Sequence, residues 1–596
     1  MKRQVKKNVS ILALSAACAF AMVGACSLAV KDAVAETVQP VETVETLSTF
    51  TMPTGASVRI ETDGNGIRFM IKMDKQEYES LMANTAYSEI DYGVLIAPAT
   101  YDEKKSLKTA FDNDTTYAWA VKNEQGEWVY DEVVNAGKTR IMNIETNNLT
   151  WSDEDNAYVF YASIIDILPE NIARDFAAYG YLEYTTAGET PVTDYVWANE
   201  EGNVRSMVYV AQAAIAKGDL DKKVVDDLKA NYVTPVLVDQ SAENYYDFDL
   251  SVETEAYEIA IPSVGKVTHI LDESAKEVAF TYDGGEIAVA KETVNAFGTG
   301  EKTLYVHTNR KVYKLKTTIA SLVIDSKDDL DKFPTIAKQN LVDGNAKKFG
   351  GYFVMASDVD YENKVWAEWV GYANSNTFCG TFDGRGYAIK NLNITRTDSN
   401  YTQTGYAFIG RLGKTGIIKN VAFIEPTVTI ATGHNTAVVV GIADSGSTIE
   451  NVYVELDVDK LLVATNKLTD NNLIFRIFAS DAGAGCYGNI VNCFAKVKGD
   501  LEETITAKYP TAAGLSNIRL FYAGGHRNND KDGALQNGYH VLKNCYVYGD
   551  CESTKNQGGV AGATKFTVGM ATGFDVKIWA VDNDGYPVLI KQANVK

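Results

Sequence analysis

The sequence predicts a mostly β, multidomain protein that ends in a solenoid, and three observations predict this fold class. A short motif built around one Asn recurs through the C-terminal half of the chain. Runs that alternate apolar and polar residues, separated by Gly-rich turns, precede that half and are typical of β-strands. The length of 596 residues exceeds what one hydrophobic core commonly holds. We therefore expect several folded regions behind an N-terminal targeting segment.

Residues 1–35 have the features of a secretory signal peptide, with a basic start and an apolar run made largely of Ala, Leu and Val. Val23-Gly24-Ala25-Cys26 resembles the pattern in which a Cys is lipidated, so Cys26 is a candidate lipid anchor. Ala33-Val34-Ala35 offers ordinary cleavage after Ala35 as the alternative. We favour the lipoprotein, and we expect residues 36–50 to tether the protein to the envelope.

The acidic composition favours a location outside the cell. The formal net charge of the chain is -22, and such a surface repels nucleic acid and anionic membranes. We therefore expect a secreted protein at the cell surface. We expect no nucleic-acid partner, and membrane contact only through the lipid anchor.

Residues 51–235 form the first predicted region. Residues 55–60 and 66–71 alternate apolar and polar side chains around Asp63-Gly64-Asn65-Gly66, which is the signal of a hairpin. Helical spacing follows from Val204 to Lys217, with a second short helix after it. The sequence thus predicts a β-rich module that is closed by C-terminal helices.

Residues 240–320 contain several short alternating segments separated by turns such as Asp283-Gly284-Gly285 and Gly298-Thr299-Gly300. Strands at this spacing predict a small β-sandwich. We expect this region to act as a spacer between its neighbours.

Residues 322–596 form the third predicted region. Asp325 or Ser326 can cap a helix that runs to Gln339, and an amphipathic helix there would cover the open end of a solenoid. The Asn of each recurring motif can bond backbone groups at a bend and the Asn of the next coil. We predict a structural ladder of these residues: Asn391, Asn420, Asn451, Asn492 and Asn544.

Cysteine is sparse after the signal peptide. Cys493 and Cys545 each follow an Asn of the recurring motif, at a position that Leu or Val holds in the other copies. We expect them to replace apolar core residues. A disulfide between neighbouring coils is the alternative.

The segment from Gly380 to Ile394, with the Gly-framed runs 405–413 and 416–420, resembles the GLUG-type repeats of bacterial surface proteins. Residues 579–589 resemble the closing segment of such arrays. The resemblance implies a right-handed parallel β-helix and an exterior scaffold. The middle region resembles the Ig-like spacers of surface proteins, and the first resembles an uncharacterised exoprotein module of Gram-positive anaerobes.

No nucleophile elbow, P-loop, HExxH motif or Cys/His metal spacing is present, so we assign no catalytic residue and do not expect an enzyme. Asp358, Asp360 and Asp383 fall at predicted coil ends, where carboxylates of a hydrolase or lyase could align. Turn chemistry is the favoured interpretation, since Asp383 precedes Gly384.

The long interval between the last two motif copies holds the candidate binding residues. Oxygen side chains at Asn528, Asp530 and Asp532 followed by Gly match the opening of a calcium loop, although Tyr539 stands where the closing Glu belongs. An Asx-rich loop is the favoured interpretation, and we expect no other cofactor. Aromatic and polar side chains suited to sugars lie in the same interval: Tyr522, His526, Arg527 and Tyr539.

These observations favour a non-catalytic surface protein that recognises a glycan or a host surface protein through its β-helix. A β-helix polysaccharide lyase or glycoside hydrolase is one alternative. A structural envelope component without a ligand is the other.

Overall fold

The computed structural model describes residues 47–62, 64–99, 117–119, 121–122, 128–129, 139–199, 202–240, 245–261, 266–283, 285–366, 370–371, 376–395, 405–430, 435–464, 474–480, 488–511, 542–549 and 564–593. Thr49–Lys596 forms one compact unit. It is mostly β, multidomain and built from many sheets. None of the helices in the described ranges combines the length and apolar character that a membrane crossing needs.

The N-terminal sheets occupy the chain up to residue 206 and are largely antiparallel. One sheet has the order β1-β2-β9-β8, and the other has the order β11-β10-β3-β7-β4 with β12 also paired to β10. Alternation sets the faces of β2, where Ile67, Phe69 and Ile71 are fully buried. The strands are β1 Ser57–Arg59, β2 Gly66–Met73, β3 Tyr87–Pro98, β4 Tyr117–Trp119, β5 Val121–Lys122, β6 Trp128–Val129, β7 Thr139–Thr146, β8 Thr150–Ser152, β9 Ala157–Ile165, β10 Asp175–Thr186, β11 Thr193–Trp197 and β12 Asn203–Ser206.

Helices accompany and follow these sheets. Ser206 caps the second helix by accepting a hydrogen bond from the Tyr209 amide, and Gly218, with φ of 77°, ends it in the left-handed region. The helices are α1 Lys75–Met82, α2 Met207–Lys217 and α3 Lys222–Leu228, and a π-turn, Lys229–Val233, and the 3-10 turns Pro169–Asn171 and Thr234–Val236 complete the region.

The middle sheets pack around one apolar core that includes Phe248, Ile287 and Leu315. One sheet has the order β13-β20-β19-β16 with β14 also on β20, and the other has the order β15-β18-β17. The strands are β13 Leu237–Asp239, β14 Tyr245–Asp249, β15 Ala256–Ile259, β16 Val267–Leu271, β17 Thr281–Asp283, β18 Glu286–Ala290, β19 Gly300–Thr308 and β20 Val312–Ala320, with the helix α4 Lys291–Ala296 between β18 and β19.

The C-terminal strands from β21 to β42 pair in parallel, and we call them the parallel stack. Its bounds are β21 Leu322–Ile324, α5 Lys327–Gln339, β22 Lys348–Phe349, β23 Tyr352–Met355, β24 Val359–Asp360, β25 Thr377–Phe378, β26 Thr381–Asp383, β27 Ala388–Lys390, β28 Asn393–Ile394, β29 Gly405–Tyr406, β30 Ile409–Leu412, β31 Ile417–Lys419, β32 Ala422–Ile424, β33 Thr427–Ile430, β34 Asn435–Ala437, β35 Val440–Ala443, β36 Thr448–Glu450, β37 Tyr453–Asp457, β38 Leu461–Val463, β39 Ile474–Arg476, β40 Asn489–Lys498, α6 Leu501–Lys508, β41 Leu542–Tyr548 and β42 Thr564–Lys565. The 3-10 turns Val342–Gly344 and Val458–Lys460 lie among them.

Equivalent side chains of the parallel stack lie directly above one another. Phe382 pairs in register with Ile418, which pairs with Ile449, and all three are fully buried. Each such column of stacked side chains is buried, whereas the apolar row of a single short strand would be exposed to water.

The first helix of the parallel stack closes its N-terminal end. It begins after Ser326, whose hydroxyl accepts from the Asp329 amide, and it ends at Gln339 as the sequence predicts. Phe333 is fully buried and packs edge-on against Phe353 of β23 and Phe382 of β26. The helix therefore covers apolar side chains at that end.

The C-terminal segment, residues 564–593, runs back along the outside of the parallel stack. Its hairpin of β43 Trp579–Val581 and β44 Pro587–Leu589 precedes a 3-10 turn, Ile590–Gln592. Trp579 belongs to an apolar cluster that includes Tyr453 and Phe494 of neighbouring strands. The side chain of Gln592 donates to Asp358 at 3.0 Å, so the segment spans several turns of the stack.

Candidate functional site

A polar cleft lies where the middle sheets meet the parallel stack, and it is the candidate functional site. Its volume is about 460 Å³, within the range of roughly 300–1,000 Å³ typical of small-ligand sites. Three parts of the chain line it: the middle sheets, one corner of the parallel stack, and the C-terminal segment. The polar lining residues are Asp247, Glu301, Lys316, Asp383, Arg385, Tyr387, Asn420 and Lys591.

One face of the middle sheet supplies a row of polar side chains. Asp247 of β14 and Glu301 of β19 both pair in register with Thr318 of β20, so the three lie side by side across the sheet. Lys316 lies two residues before Thr318 and therefore on the same face. The alternate residue Leu315 is buried in the core of the middle sheets, so the alternation of β20 directs its polar side chains to the cleft.

The turn after β26 places Arg385 in the cleft. Asp383 accepts from the Arg385 amide at 2.9 Å, and Arg385 adopts the left-handed region with φ of 51°. This turn projects the guanidinium towards the middle sheet, where it donates to both carboxylate oxygens of Asp247 at 2.6 and 2.7 Å and to the hydroxyl of Thr318 at 2.7 Å. Bidentate pairing of this kind fixes geometry as well as charge.

Asp383 is buried at the base of the cleft, beside Lys419 on the next strand. The ammonium of Lys419 lies 3.2 Å from the carboxylate of Asp383, and Asn420 donates to the same residue at 3.0 Å. Burial alone would lower the pKa of Lys419, but attraction to Asp383, Tyr352 and Glu301 outweighs it and raises the pKa. Burial raises the pKa of the Tyr352 hydroxyl to about 12. The side chain of Asp383 therefore has an ammonium and an amide donor as partners at the base of the cleft.

The C-terminal segment supplies Lys591. Its ammonium lies 3.4 Å from the ring centroid of Tyr387, a cation–π contact. No carboxylate in the described ranges lies within ion-pair distance of this ammonium. Lys591 is thus a cation of the cleft that a carboxylate from solution could reach.

The structure places the five predicted ladder asparagines at two corners, and all five adopt left-handed φ between 51° and 55°. At the first corner, Asn420 and Asn451 directly follow β31 and β36, whereas Asn492 and Asn544 lie within β40 and β41. Asn451 donates to Asn420 at 3.0 Å, and Asn544 donates to Asn492 at 3.0 Å.

Asn391 lies at the other corner, one strand further along its turn of the stack. It follows β27, which pairs with β32, and its side chain donates to Asp360 at 3.0 Å. At the first corner, Gly384 stands where the next turn of the stack has Asn420, and Asp383 accepts the bond from that Asn.

Cys493 and Cys545 are register partners on β40 and β41, and both are buried. Both are free thiols in this structure. Burial, followed by the hydrogen bond with Cys545, raises the pKa of the Cys493 thiol. Their surroundings are those of core residues.

The other predicted site residues lie outside the described residues. They are the candidate lipid anchor Cys26, the candidate calcium ligands Asn528, Asp530 and Asp532, and the candidate binding residues Tyr522, His526, Arg527 and Tyr539. Within the described ranges, no group of three or more His, Cys, Asp or Glu side chains is arranged to hold a metal ion.

A second group of titratable side chains lies where the N-terminal sheets meet the middle sheets. His269 is 3.0 Å from Glu277 and 3.5 Å from Asp175. His307 is 1% exposed, and neither of its ring nitrogens has a hydrogen-bond partner in the described part of the chain. Burial lowers the pKa of His307 from 6.5 to about 3. The imidazole of His307, where these sheets meet, is therefore neutral.

Sequence reasoning singled out Asp383 and Asn420 of the cleft as corner residues, but it did not single out Asp247, Arg385 or Lys591. Asp247 and Arg385 are separated by 138 residues, and no motif joins them. The one local signal is the GTFDGRG turn, whose Arg is flanked by two glycines.

The comparisons with known proteins are sparse. No protein-family model and no curated protein matches the chain. One solved structure, provisionally named an immunoglobulin A1 protease of Bacteroides ovatus, is similar over 45% of this chain and 92% of its own, with 13% sequence identity and a TM-score of 0.25.

Proposed function

We propose that this chain is a secreted cell-surface protein, anchored through Cys26, that binds a glycan or a host surface protein without cleaving it. In this proposal the parallel stack is a right-handed parallel β-helix of GLUG-like repeats. The middle sheets are an Ig-like spacer. Support for the architecture comes from the parallel register of successive strands and from the Asn side chains at their corners.

The polar cleft carries the functional part of the proposal. Sugar sites use carboxylates and amides to bond hydroxyls, and aromatic side chains to contact the ring. Glu301, Asn420 and Tyr387 supply these three kinds of group around one cavity. The net charge of -22 argues against a nucleic-acid partner.

A glycan-array screen of residues 36–596, with calcium and with a chelator, tests the proposal. We expect binding of at least one glycan class. Glu301→Gln should weaken that binding by roughly tenfold, about the effect of losing one hydrogen bond to a charged acceptor. Glu258→Gln changes an exposed carboxylate elsewhere on the middle sheets and is the matched control.

Other results would favour one of the alternative functions or another binding site. Shortened products after incubation with a bound glycan would favour the lyase or hydrolase. Absence of binding to glycans and host proteins would favour a structural envelope component. Calcium-dependent binding would point to Asn528, Asp530 and Asp532.

A further inference from the structure

The charges at the cleft do not cancel. Three carboxylates, Asp247, Glu301 and Asp383, and three cations, Lys316, Arg385 and Lys591, line it. Lys419, which pairs with Asp383 from outside this lining, adds a fourth cation, so that Lys591 is in excess. The paired groups are Asp247 with Arg385 at 2.6 Å, Asp383 with Lys419 at 3.2 Å, and Glu301 with Lys316 at 3.5 Å. An incoming anion therefore finds a surplus cation that it does not have to remove from a protein carboxylate.

The backbone around Lys591 is held in place by its neighbours. The side chain of Gln592 donates to Asp358 at 3.0 Å and to the carbonyl of Gly386 at 3.1 Å. The stem of Lys591 lies against Gly386, where a side chain on residue 386 would come within 3.5 Å of it. The ammonium is thus presented to the cleft from an anchored backbone, which lowers the ordering cost of binding.

We infer that the cleft selects a sugar that carries a carboxylate, such as a sialic or uronic acid at the end of a glycan, and that Lys591 binds this carboxylate. The inference rests on the glycan binding proposed above and names the class of glycan. A neutral sugar would leave the surplus charge of Lys591 uncompensated. A carboxylate forms a charge-assisted hydrogen bond with it, which is roughly twice as strong as a neutral one.

The negative charge of the rest of the chain also limits the number of negative charges that the ligand can carry. A net charge of -22 repels a long polyanion, whereas a glycan with one terminal carboxylate brings a single charge to the one surplus cation. The inferred ligand is therefore a terminal acidic sugar rather than a repeating polyuronate.

Calorimetric titration of residues 36–596 with matched glycans tests this inference. The probes are 3′-sialyllactose with lactose, and a glucuronic acid-terminated disaccharide with its glucose-terminated counterpart. We expect one acidic member to bind at least about tenfold more tightly than its neutral partner. This preference should shrink as salt rises from about 50 mM to about 500 mM, because salt screens exposed charges.

Two variants test whether Lys591 causes the preference for the acidic glycan. Lys591→Gln should lower affinity for the acidic glycan roughly tenfold more than affinity for its neutral partner, so that the preference is lost. Lys577→Gln removes an exposed charge from the same C-terminal segment and should change neither affinity. Equal melting temperatures of the three proteins show that each is folded.

The outcomes separate this inference from the proposal on which it rests. Equal affinity for acidic and neutral partners, or a preference that persists in Lys591→Gln, overturns the role of Lys591 and leaves glycan binding intact. Binding of neutral glycans alone on the array does the same. Failure of every glycan to bind overturns this inference and the glycan-binding part of the proposed function, and leaves only a host surface protein as the ligand.

Discussion

The middle sheets meet their neighbours at two junctions, and the titratable side chains of these junctions have opposite surroundings. Towards the parallel stack, Arg385 forms two hydrogen bonds with Asp247 and a third with Thr318. Towards the N-terminal sheets, His307 is buried without a hydrogen-bond partner in the described part of the chain, beside His269. The first junction pairs the guanidinium of Arg385 with a carboxylate, whereas the second keeps a titratable group neutral.

This difference implies different responses to pH. A guanidinium paired with a carboxylate keeps its charge through the physiological range. A buried imidazole without a partner resists protonation, so acid favours states in which it reaches water. The stability of the junction with the parallel stack should therefore change little at moderate pH. The junction with the N-terminal sheets, which contains His307 and which we call the histidine junction, should become less stable in acid.

The largest expected effect comes from breaking the charged junction. Arg385→Ala leaves the carboxylate of Asp247 and the hydroxyl of Thr318 without their shared donor, and we expect a loss of about 3 kcal/mol in unfolding free energy. Limited proteolysis should also show faster cleavage near Ser321, between the middle sheets and the parallel stack.

Arg411 is the matched control, because it pairs with Asp444 inside the parallel stack at 2.8 Å and is similarly buried. Arg411→Ala should destabilise the protein without the new cleavage near Ser321. Identical proteolysis patterns for the two variants would show that Arg385 does not hold the junction.

The next effect concerns the histidine junction. Because the folded-state pKa of His307 is about 3 and its ordinary value is 6.5, its contribution to stability is fully present above pH 6.5 and is lost as the pH falls towards 3. The slope from one such group reaches at most about 1.4 kcal/mol per pH unit. Urea unfolding at several pH values between 7 and 5 measures it.

His307→Phe keeps an aromatic ring and removes the titrating group, so its stability should fall less steeply in acid. The comparison with the unchanged protein also cancels the titration of the surrounding Asp175, Glu277 and His269. Parallel pH profiles for the two proteins would assign the acid sensitivity to other residues.

A smaller loss of unfolding free energy is expected from substitutions at a corner of the parallel stack. This loss is the reference against which the losses at the two junctions are compared. Asn451→Gly loses the hydrogen bond to Asn420 but accepts the left-handed backbone, and we expect a loss of about 1 kcal/mol. Asn451→Ala should lose about 1 kcal/mol more, since a Cβ is strained at that φ. Equal losses in urea unfolding would mean that the backbone conformation contributes little.

The smallest effect on stability should come from Lys591→Gln. Its ammonium is exposed and pairs with no carboxylate in the described ranges, so we expect a change within about 0.5 kcal/mol. A larger loss in urea unfolding would show that Lys591 holds the junction together and is not kept for a ligand.

Local patterns predicted much of the secondary structure. The apolar and polar alternation of residues 66–71 predicted a strand, which the structure has as β2. The capping residue and amphipathic spacing after Ser326 predicted α5 with its end at Gln339. Both depend on side chains within a few residues of one another, which is the range over which sequence patterns report.

The recurring Asn motif was less discriminating. Ile389-Lys390-Asn391 and Ile418-Lys419-Asn420 look alike, yet they lie at different corners of the stack. Each corner needs a residue that tolerates left-handed φ after a short buried strand, and Asn serves both. A linear pattern therefore cannot tell the two corners apart.

By itself, the sequence determined the local features of this protein: its strands and turns, its capped helix, its acidic charge and the candidate secretory segment at its start. These depend on neighbouring side chains and on composition. Only the tertiary structure decided which charges meet at the two junctions and that Lys591 remains without a carboxylate partner in the described chain. Asp247, Arg385 and Lys591 lie on three separate parts of the chain, and packing of the sheets, rather than any local preference, brings them to one cleft.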